Sequence, residues 1–422
     1  MRPFPAIAAA LLAAAVLAGA PGARAWDLTL QDSPTSPEFF LAVAKQRQTV
    51  LAFGRHSPLN LRKSLTCTTG QKPGDKLREG DLKTPEGVYF VQRKRTGGLD
   101  FELYGDTAYT LDYPNPVDVL KGKTGSGIWV HGRGRALTPR DTKGCVALNN
   151  DDLAGIGPDL APGVPVVIAR EVAFSAEPGE MSRTAEELAR RVRGWAEAWA
   201  AKSPEFFSYY HPGRYSKAER AFERFRQRKQ RIFDQVDWIA VRVHDIRALP
   251  GPDYWVTWFG QYYRTPQMDS QIVKRLYWQK DEDGEWRIVG NEYARPEGDY
   301  RRDYLLHARQ EAMELVAGWR EAWERADLEE YASYYAPGAE QEGREGLEEI
   351  TAHKREVWDK GLPERVDVEG FSARLHPDGL QVSFTQRYSA ESGYSDVGRK
   401  TLVLEPSGDG WRIVSEEWRR IS

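Results

Sequence analysis

Cysteine is nearly absent from this chain: 422 residues carry two, Cys67 and Cys145. Two cysteines exclude a disulfide framework and a cysteine-rich metal module. Histidine is also scarce. The seven (His56, His131, His211, His244, His307, His353, His376) are scattered, with no pair or His/Cys cluster at metal-ligand spacing, so no metal centre is expected. No glycine-rich phosphate loop stands between a strand and a helix, "GRGR" at Gly132 to Arg135 being too short, and no cofactor is implied. Charge of one sign is lacking as well. The formal net charge is -3, which gives no global attraction to nucleic acid. The basic run "RFRQRKQR" (Arg224 to Arg231) is interleaved with Phe225 at helical spacing from Phe222 and Ile232 and reads as a solvated helix face.

One long apolar run is present, from Ala6 to Ala20, between Arg2 and "ARA" at Ala23 to Ala25. A basic start, a short apolar stretch and a small-x-small end describe a signal peptide over residues 1–25, with Trp26 as the first mature residue. The run is too short to span a bilayer comfortably and no second one follows, so the expectation is an exported, periplasmic protein with no integral membrane span after leader cleavage, with an uncleaved N-terminal anchor as the alternative. Without that leader, Arg2 and Arg24 are lost and the formal charge falls from -3 to -5. The remaining length fits two to three domains.

From Trp26 to about Arg170 the chain alternates strand-like runs with turn signals: "TVLAFGRH", "RKSLTCTTG", "GVYFVQRKRT", "FELYGDTAYTLDY", "GIWVHG" and "VPVVIAREV". Helical patterning is confined to "SPEFFLAVAKQRQ" and to "NNDDLAGIG", where Asn149 or Asn150 serves as cap. A mostly antiparallel sandwich or barrel-like domain over 26–175 is predicted. An internal repeat follows. "GWAEAW" at Gly194 recurs as "GWREAW" at Gly318, "YYHPG" at Tyr209 as "YYAPG" at Tyr334, and "WRIV" at Trp286 as "WRIV" at Trp411. A nearly constant offset over so long a span marks two duplicated domains, 182–296 and 305–422. In each, a helix stripe (Leu188, Val192, Trp195 and Trp199 in the first) precedes aromatic-rich alternating strands, which implies an α+β unit with helices on one face of a curved sheet. The pattern resembles the cone-shaped nuclear-transport-factor-two-like fold. Most of the aromatics belong to the core; Trp255, Trp258, Tyr262 and Tyr263 share one strand and point alternately to both faces, so at most half of them line a pocket. Such a cone fits a wall-associated protein or glycan ligand.

The chemistry concentrates between His131 and Cys145. A thiol needs a base or a positive field to become a nucleophile, and glycine frees backbone N–H groups for an oxyanion. His131 is the candidate base, with the Gly132 carbonyl as its orienting partner, and Gly144 and Cys145 supply candidate oxyanion donors. A Cys67–Cys145 disulfide is the plain alternative. The unlike contexts, a strand around Cys67 and a Gly-led turn before Cys145, favour a free reactive thiol at Cys145.

"GDLKTPEGVYF" (Gly80 to Phe90), "LDYPNPVD" (Leu111 to Asp118), "GIWVHG" and "TKGCVALNNDDL" (Thr142 to Leu153) resemble, in order and setting, the L,D-transpeptidase (YkuD-type) catalytic domain over residues 40 to 170. The resemblance implies a partner, the peptidoglycan stem peptide, attacked by cysteine at the L,D bond between its third and fourth residues and transferred to an amine or to water. It assigns Cys145 as nucleophile, His131 as base, Gly132 as orienting carbonyl and Gly144 as oxyanion contributor. The usual Ser/Thr-His-Gly-Cys-x-Arg box here reads Thr142-Lys143-Gly144-Cys145-Val146-Ala147, so the arginine is missing. Thr142, Lys143, Arg133 and Arg140 become the substrate-binding candidates, with Arg135 beside them, and Lys143 is placed to favour the thiolate. This variant box followed by cone domains is similar to the cell-shape L,D-carboxypeptidases of curved bacteria, which trim tetrapeptide stems to tripeptides. The sequence-level reading is a transpeptidase, with the carboxypeptidase as runner-up and a non-catalytic wall-binding scaffold as the alternative of another class.

Overall fold

The structure, a computed structural model, describes residues 25–421 except 55, 56, 217, 219 and 409, so the expected leader, save its last residue, lies outside the described residues. The first part of the chain contributes β1 (Asp27–Gln31), β2 (Phe39–Ala44), β3 (Thr49–Gly54), β4 (Asn60–Thr68), β5 (Gly87–Arg95), α1 (Phe101–Tyr104), β6 (Ala108–Leu111), α2 (Pro116–Leu120), β7 (Trp129–His131), β8 (Val146–Leu148), α3 (Asn150–Ile156), β9 (Pro165–Ala169) and β10 (Glu171–Ser175). Eight strands close a barrel in the order β2-β3-β4-β8-β7-β6-β5-β9. The β2–β9 and β7–β8 pairs are parallel and the rest antiparallel. Closure removes the exposed edges that strands this short would otherwise leave. Alternate residues (Val43, Val50, Cys67, Tyr89, Tyr109, Val130, Val146, Leu148, Val166, Ile168) fill the barrel, so their neighbours along each strand face outward.

Two local expectations are corrected. The "SPEFFLAVAKQRQ" segment is not a helix; Phe39–Ala44 is strand β2, flanked by β3 and β9 and buried from Phe40 to Ala44. A short apolar run buried on both faces carries no periodicity that separates strand from helix, and tertiary pairing decides. The "FELY" run is one helical turn, α1, whose first turn Asp100 caps by accepting from the Leu103 N–H at 3.1 Å. The helix after Cys145 does form, but Asn149 stands at its N-cap without a side-chain capping bond.

The repeats follow. The first comprises α4 (Glu180–Ala200), α5 (Ala221–Gln235) and the antiparallel sheet β11 (Ala240–Pro250), β12 (Trp255–Arg264), β13 (Asp269–Lys280) and β14 (Trp286–Ala294). The second comprises α6 (Tyr300–Glu324), α7 (Leu328–Ser333), β15 (Tyr335–Gln341), β16 (Arg344–Glu345), α8 (Gly346–Lys360), β17 (Pro363–His376), β18 (Gly379–Ala390), β19 (Ser395–Ser407) and β20 (Gly410–Arg420). Its sheet order is β16-β15-β20-β19-β18-β17. The duplication extends to individual contacts. Trp195 Nε1 donates to Tyr210 Oη at 3.0 Å, and Trp319 Nε1 donates to Tyr335 Oη at 3.0 Å.

The interiors differ in charge. In the second cone Lys400 is paired with Glu416, and although burial pushes that carboxyl up, Lys400 and Lys354 hold it down at about 2. Register places Lys274 of the first cone where Lys400 stands in the second, each opposite a phenylalanine (Phe259, Phe384). Lys274 lies 5.0 Å from the Trp195 ring centre and 4.9 Å from that of Tyr293, and burial, aided by Lys229, pushes it down to about 7.

All four aromatics singled out on β12 are buried. Tyr263 packs on Trp199 and Tyr262 on Tyr304, while Trp258 meets Phe90 of the barrel edge to face at 5.2 Å. The first cone is thereby keyed into the barrel. Tyr254 Oη accepts from Val88 N–H at 2.9 Å and from Asn115 Nδ2 at 2.8 Å. Arg275 lies 3.6 Å over the Phe90 ring and pairs with Asp112 at 2.7 Å and Glu292 at 3.5 Å.

Candidate active site

The site lies on the outer wall of the barrel, where β7 and β8 run side by side. Their parallel register opposes Val130 to Val146 and His131 to Ala147. Cys145, two residues before Ala147, therefore projects to the same outer face as His131, one step along the neighbouring strand. Ala147, where the usual box carries arginine, is fully buried opposite His131.

Gly144 makes the turn that presents the thiol. Its φ of +136° is unfavourable for any side chain, and a Cβ there would stand 2.9 Å from the Lys83 carbonyl oxygen. The "GDLKTPEG" segment thus walls the cysteine loop. Within that loop Thr142 Oγ1 donates to the Cys145 carbonyl at 2.7 Å and accepts the Gly144 N–H at 3.1 Å. Two sequence-level roles change in consequence. Thr142, buried with its hydroxyl fully committed, shapes the loop from inside and does not face a substrate. The Gly144 N–H points at Thr142, which leaves the Cys145 amide N–H unpartnered among the described residues.

The half-buried Cys145 thiol lies 3.5 Å from the Gly127 carbonyl, to which it donates, and takes a backbone N–H from Trp129. Burial pushes it up to about 11, against the pull of that N–H and of Lys76 and Arg133. His131 is buried. Its Nδ1–H donates to the Gly132 carbonyl at 2.6 Å, which fixes the tautomer and leaves Nε2 as the acceptor. Burial, with Arg133 adding, pushes the imidazole down to about 4 despite that bond. The Tyr104 ring closes over it edge-on at 5.1 Å. A side chain at Gly132 would have to displace the Asn150 amide, whose Oδ1 stands 2.0 Å from where its Cβ would lie.

The basic candidates divide. Arg133 is buried and tied to Asp141 at 2.5 Å, and Arg135 meets the same carboxylate oxygen at 2.6 Å. Arg133 thereby serves as a fixed positive charge near the pair. Lys143 is exposed and is not among the charges that bear on the thiol; that place belongs to Lys76, held by Asp81 at 2.9 Å. Arg140 gives its backbone N–H to Gln48 Oε1 at 2.8 Å and forms no ion pair among the described residues. Sequence reasoning missed Trp129, Gly127, Tyr104 and Lys76, whose roles arise from pairing and packing; only the adjacency of "SGIW" to His131 hinted at the first two. Cys67 is unpaired, buried on β4 and pushed up to about 12 by burial.

At neutral pH the pair is a thiol beside a neutral imidazole. Iodoacetamide labelling of Cys145 is therefore expected to accelerate about tenfold per pH unit from 7 towards 11, followed by peptide mapping. A plateau beginning near pH 4 would instead mark a preformed thiolate–imidazolium pair.

Among the described residues no group of acidic, histidine or cysteine side chains is placed to hold a metal, and no helix is long and apolar enough to cross a membrane.

A barrel with a cysteine and a histidine on adjoining strands, followed by two cones, has relatives. The L,D-transpeptidase catalytic domain (YkuD) model matches residues 38–168, and the Cds6 C-terminal NTF2-like domain model matches twice, at 187–292 and 311–417, about half of the chain. The chain belongs to the L,D-transpeptidase family of peptidoglycan-acting proteins whose catalytic domain is followed by NTF2-like domains. Among solved structures, the helical cell shape determining protein Pgp2 of Campylobacter jejuni is 26% identical, with a TM-score of 0.51 over 62% of this chain and 96% of its own. Bd1075 of Bdellovibrio bacteriovorus has a TM-score of 0.53 at 24% identity over 64% of this chain and 97% of its own, a likeness of fold. No curated protein matches the chain.

Proposed function

We propose that the chain is a periplasmic L,D-transpeptidase that forms an acyl-enzyme on Cys145 from a peptidoglycan tetrapeptide stem. The observation that carries this reading is the His131 tautomer: with Nδ1–H held by Gly132, Nε2 is a neutral acceptor on the same face as the thiol. As substrate binds, Nε2 takes the thiol proton and the sulfur attacks the carbonyl carbon of the third stem residue. The Cys145 amide faces the developing oxyanion. Collapse breaks the L,D bond, the departing amine of the fourth residue takes the proton from His131, and the acyl group remains as a thioester. An acceptor amine then attacks, its proton passing to His131, and frees the thiol. Burial, which holds His131 at about 4, keeps the ring unprotonated at neutral pH but makes it a weak base, so the thiol proton moves only in concert with sulfur attack on the carbonyl.

The runner-up is an L,D-carboxypeptidase, in which water replaces the amine in the second half and tripeptides are released. The half-buried, open position of the thiol keeps water access possible. In either reading the two cones act as wall-associated modules, and the scaffold alternative is the outcome in which Cys145 does nothing.

A carbapenem tests the thiol without any assumption about the acceptor, because its strained ring is an acyl donor. Intact-mass analysis is expected to show one adduct, mapped to Cys145 and absent from Cys145→Ala. An adduct on Cys67, or none, would count against an activated Cys145.

A further inference from the structure

The missing arginine two residues after Cys145 leaves open what holds a carboxylate of the donor stem. Of the four basic residues nearest in sequence, Arg133 and Arg135 are bound to Asp141, and neither Lys143 nor Arg140 lines the cleft beside the residues that contact the thiol. A cleft of about 510 Å³ is lined by Gly127 and Trp129, the two residues whose backbones contact Cys145 Sγ, although Cys145 itself does not line it. Its other walls include Arg93, Arg95 and Thr110.

Register shows how these side chains converge. Arg93 on β5 opposes Thr110 on β6, which opposes Trp129 on β7. One step along, Arg95 opposes Ala108, which opposes His131. Directly opposed residues share a sheet face, so both rows lie on the outer wall that carries the thiol and the imidazole. Ala108 is fully buried and the Tyr104 ring packs on both Trp129 and His131, so the open route along this wall is the Arg93–Thr110–Trp129 row that lines the cleft.

Three features give this cleft the character of an anion site. Arg93 and Arg95 are exposed and pair with no acid among the described residues, and the Arg95 guanidinium is poised 5.2 Å from the Trp129 ring centre. Thr110 is 94% buried by its 6% exposure, yet its hydroxyl has no hydrogen-bond partner. The acids at the far end, Asp112 and Glu292, are occupied by Arg275, and Tyr277 Oη also donates to Glu292 at 2.7 Å. A buried hydroxyl left unsatisfied beside two unpaired guanidinium groups matches a carboxylate, which accepts from all three.

Building on the acyl-transfer reading above, we propose that Arg93, Arg95 and the Thr110 hydroxyl form the subsite for a free carboxylate of the donor stem peptide, in place of the absent arginine. Two strand spacings separate Arg95 from His131, roughly 10 Å. That is about three residues of extended peptide, so the carboxylate is one carried upstream of the cleaved bond, away from the leaving residue.

The test compares two tetrapeptide stems, one with its upstream carboxylates free and one with them amidated. Steady-state kinetics are measured for wild type and for the Arg93→Gln/Arg95→Gln chain. Expected is a rise in KM of about tenfold to a hundredfold on the free acid with kcat within about threefold, and loss of the free acid's KM advantage over the amide. An unchanged KM, or an equal rise on both peptides, would overturn the subsite. Binding to the Cys145→Ala chain by calorimetry separates this from the reading it rests on. If wild type cuts neither peptide but Cys145→Ala binds the free acid in an arginine-dependent manner, the subsite stands and the acyl-transfer reading falls. If the free acid is bound no better than the amide, the subsite falls whatever the turnover.

Discussion

Replacing Cys145 by alanine is expected to abolish turnover of tetrapeptide stems, a loss on the order of 10⁴-fold or more, while the unfolding free energy stays within about 1 kcal/mol of wild type. Removal of a covalent nucleophile leaves only binding and oxyanion donors, which supply a small part of the acceleration. Stability should survive because the thiol is half-buried and its contacts are one weak bond to Gly127 and one N–H from Trp129. Cys67 offers no substitute nucleophile, buried in the barrel and pushed up to about 12. Progress curves on purified muropeptides, with urea unfolding alongside, check both halves. Turnover persisting within tenfold of wild type would remove Cys145 from the chemistry.

The second large effect concerns the joint between barrel and cone. Arg275→Ala should cost about 3 kcal/mol, because it leaves the buried Asp112 without its cation. Asp112 already sits high, pushed up to about 7 by burial and by Glu292 against the pull of Arg275. Without the guanidinium it rises further and is protonated at neutral pH, which limits the cost. The sign with pH follows: a carboxyl held above its unfolded value stabilises the fold less as pH rises from 4 through 7, and more steeply in the variant. Chemical unfolding at pH 5 and pH 8 is expected to show the larger deficit at pH 8, and Arg275→Ala/Asp112→Asn should recover part of it. A deficit under 1 kcal/mol at pH 8 would mean that the Tyr254 and Trp258 contacts carry the joint alone.

How far the sequence disclosed this molecule varies with the range of the forces involved. The repeat was legible because Trp195 and Trp319, with their tyrosine partners, recur in one order. The short strands of the barrel were legible as strands, except Phe39–Ala44, whose unbroken apolar character reflects burial on both faces. Cys145 and His131 stood out by residue type and by family resemblance. Their surroundings did not. The exclusion of Thr142 from the surface and the tie between Arg133 and Asp141 depend on loop geometry, which residue identity alone does not encode. Arg93 and Arg95 lie far from Cys145 in sequence and reach its face only through the β5–β6–β7 register, a long-range pairing that no local pattern reveals. The Arg275–Asp112 pair, separated by 163 residues, was hidden for the same reason.

The most direct measurement is product analysis by chromatography and mass spectrometry after purified tetrapeptide muropeptides are incubated with the wild-type chain, with and without an added amine. Acyl transfer through Cys145 predicts amine-exchanged or 3-3 cross-linked stems, with tripeptides alone identifying water as the acceptor. Stems left intact by wild type and by Cys145→Ala alike would contradict the account and move the chain to a wall-binding scaffold.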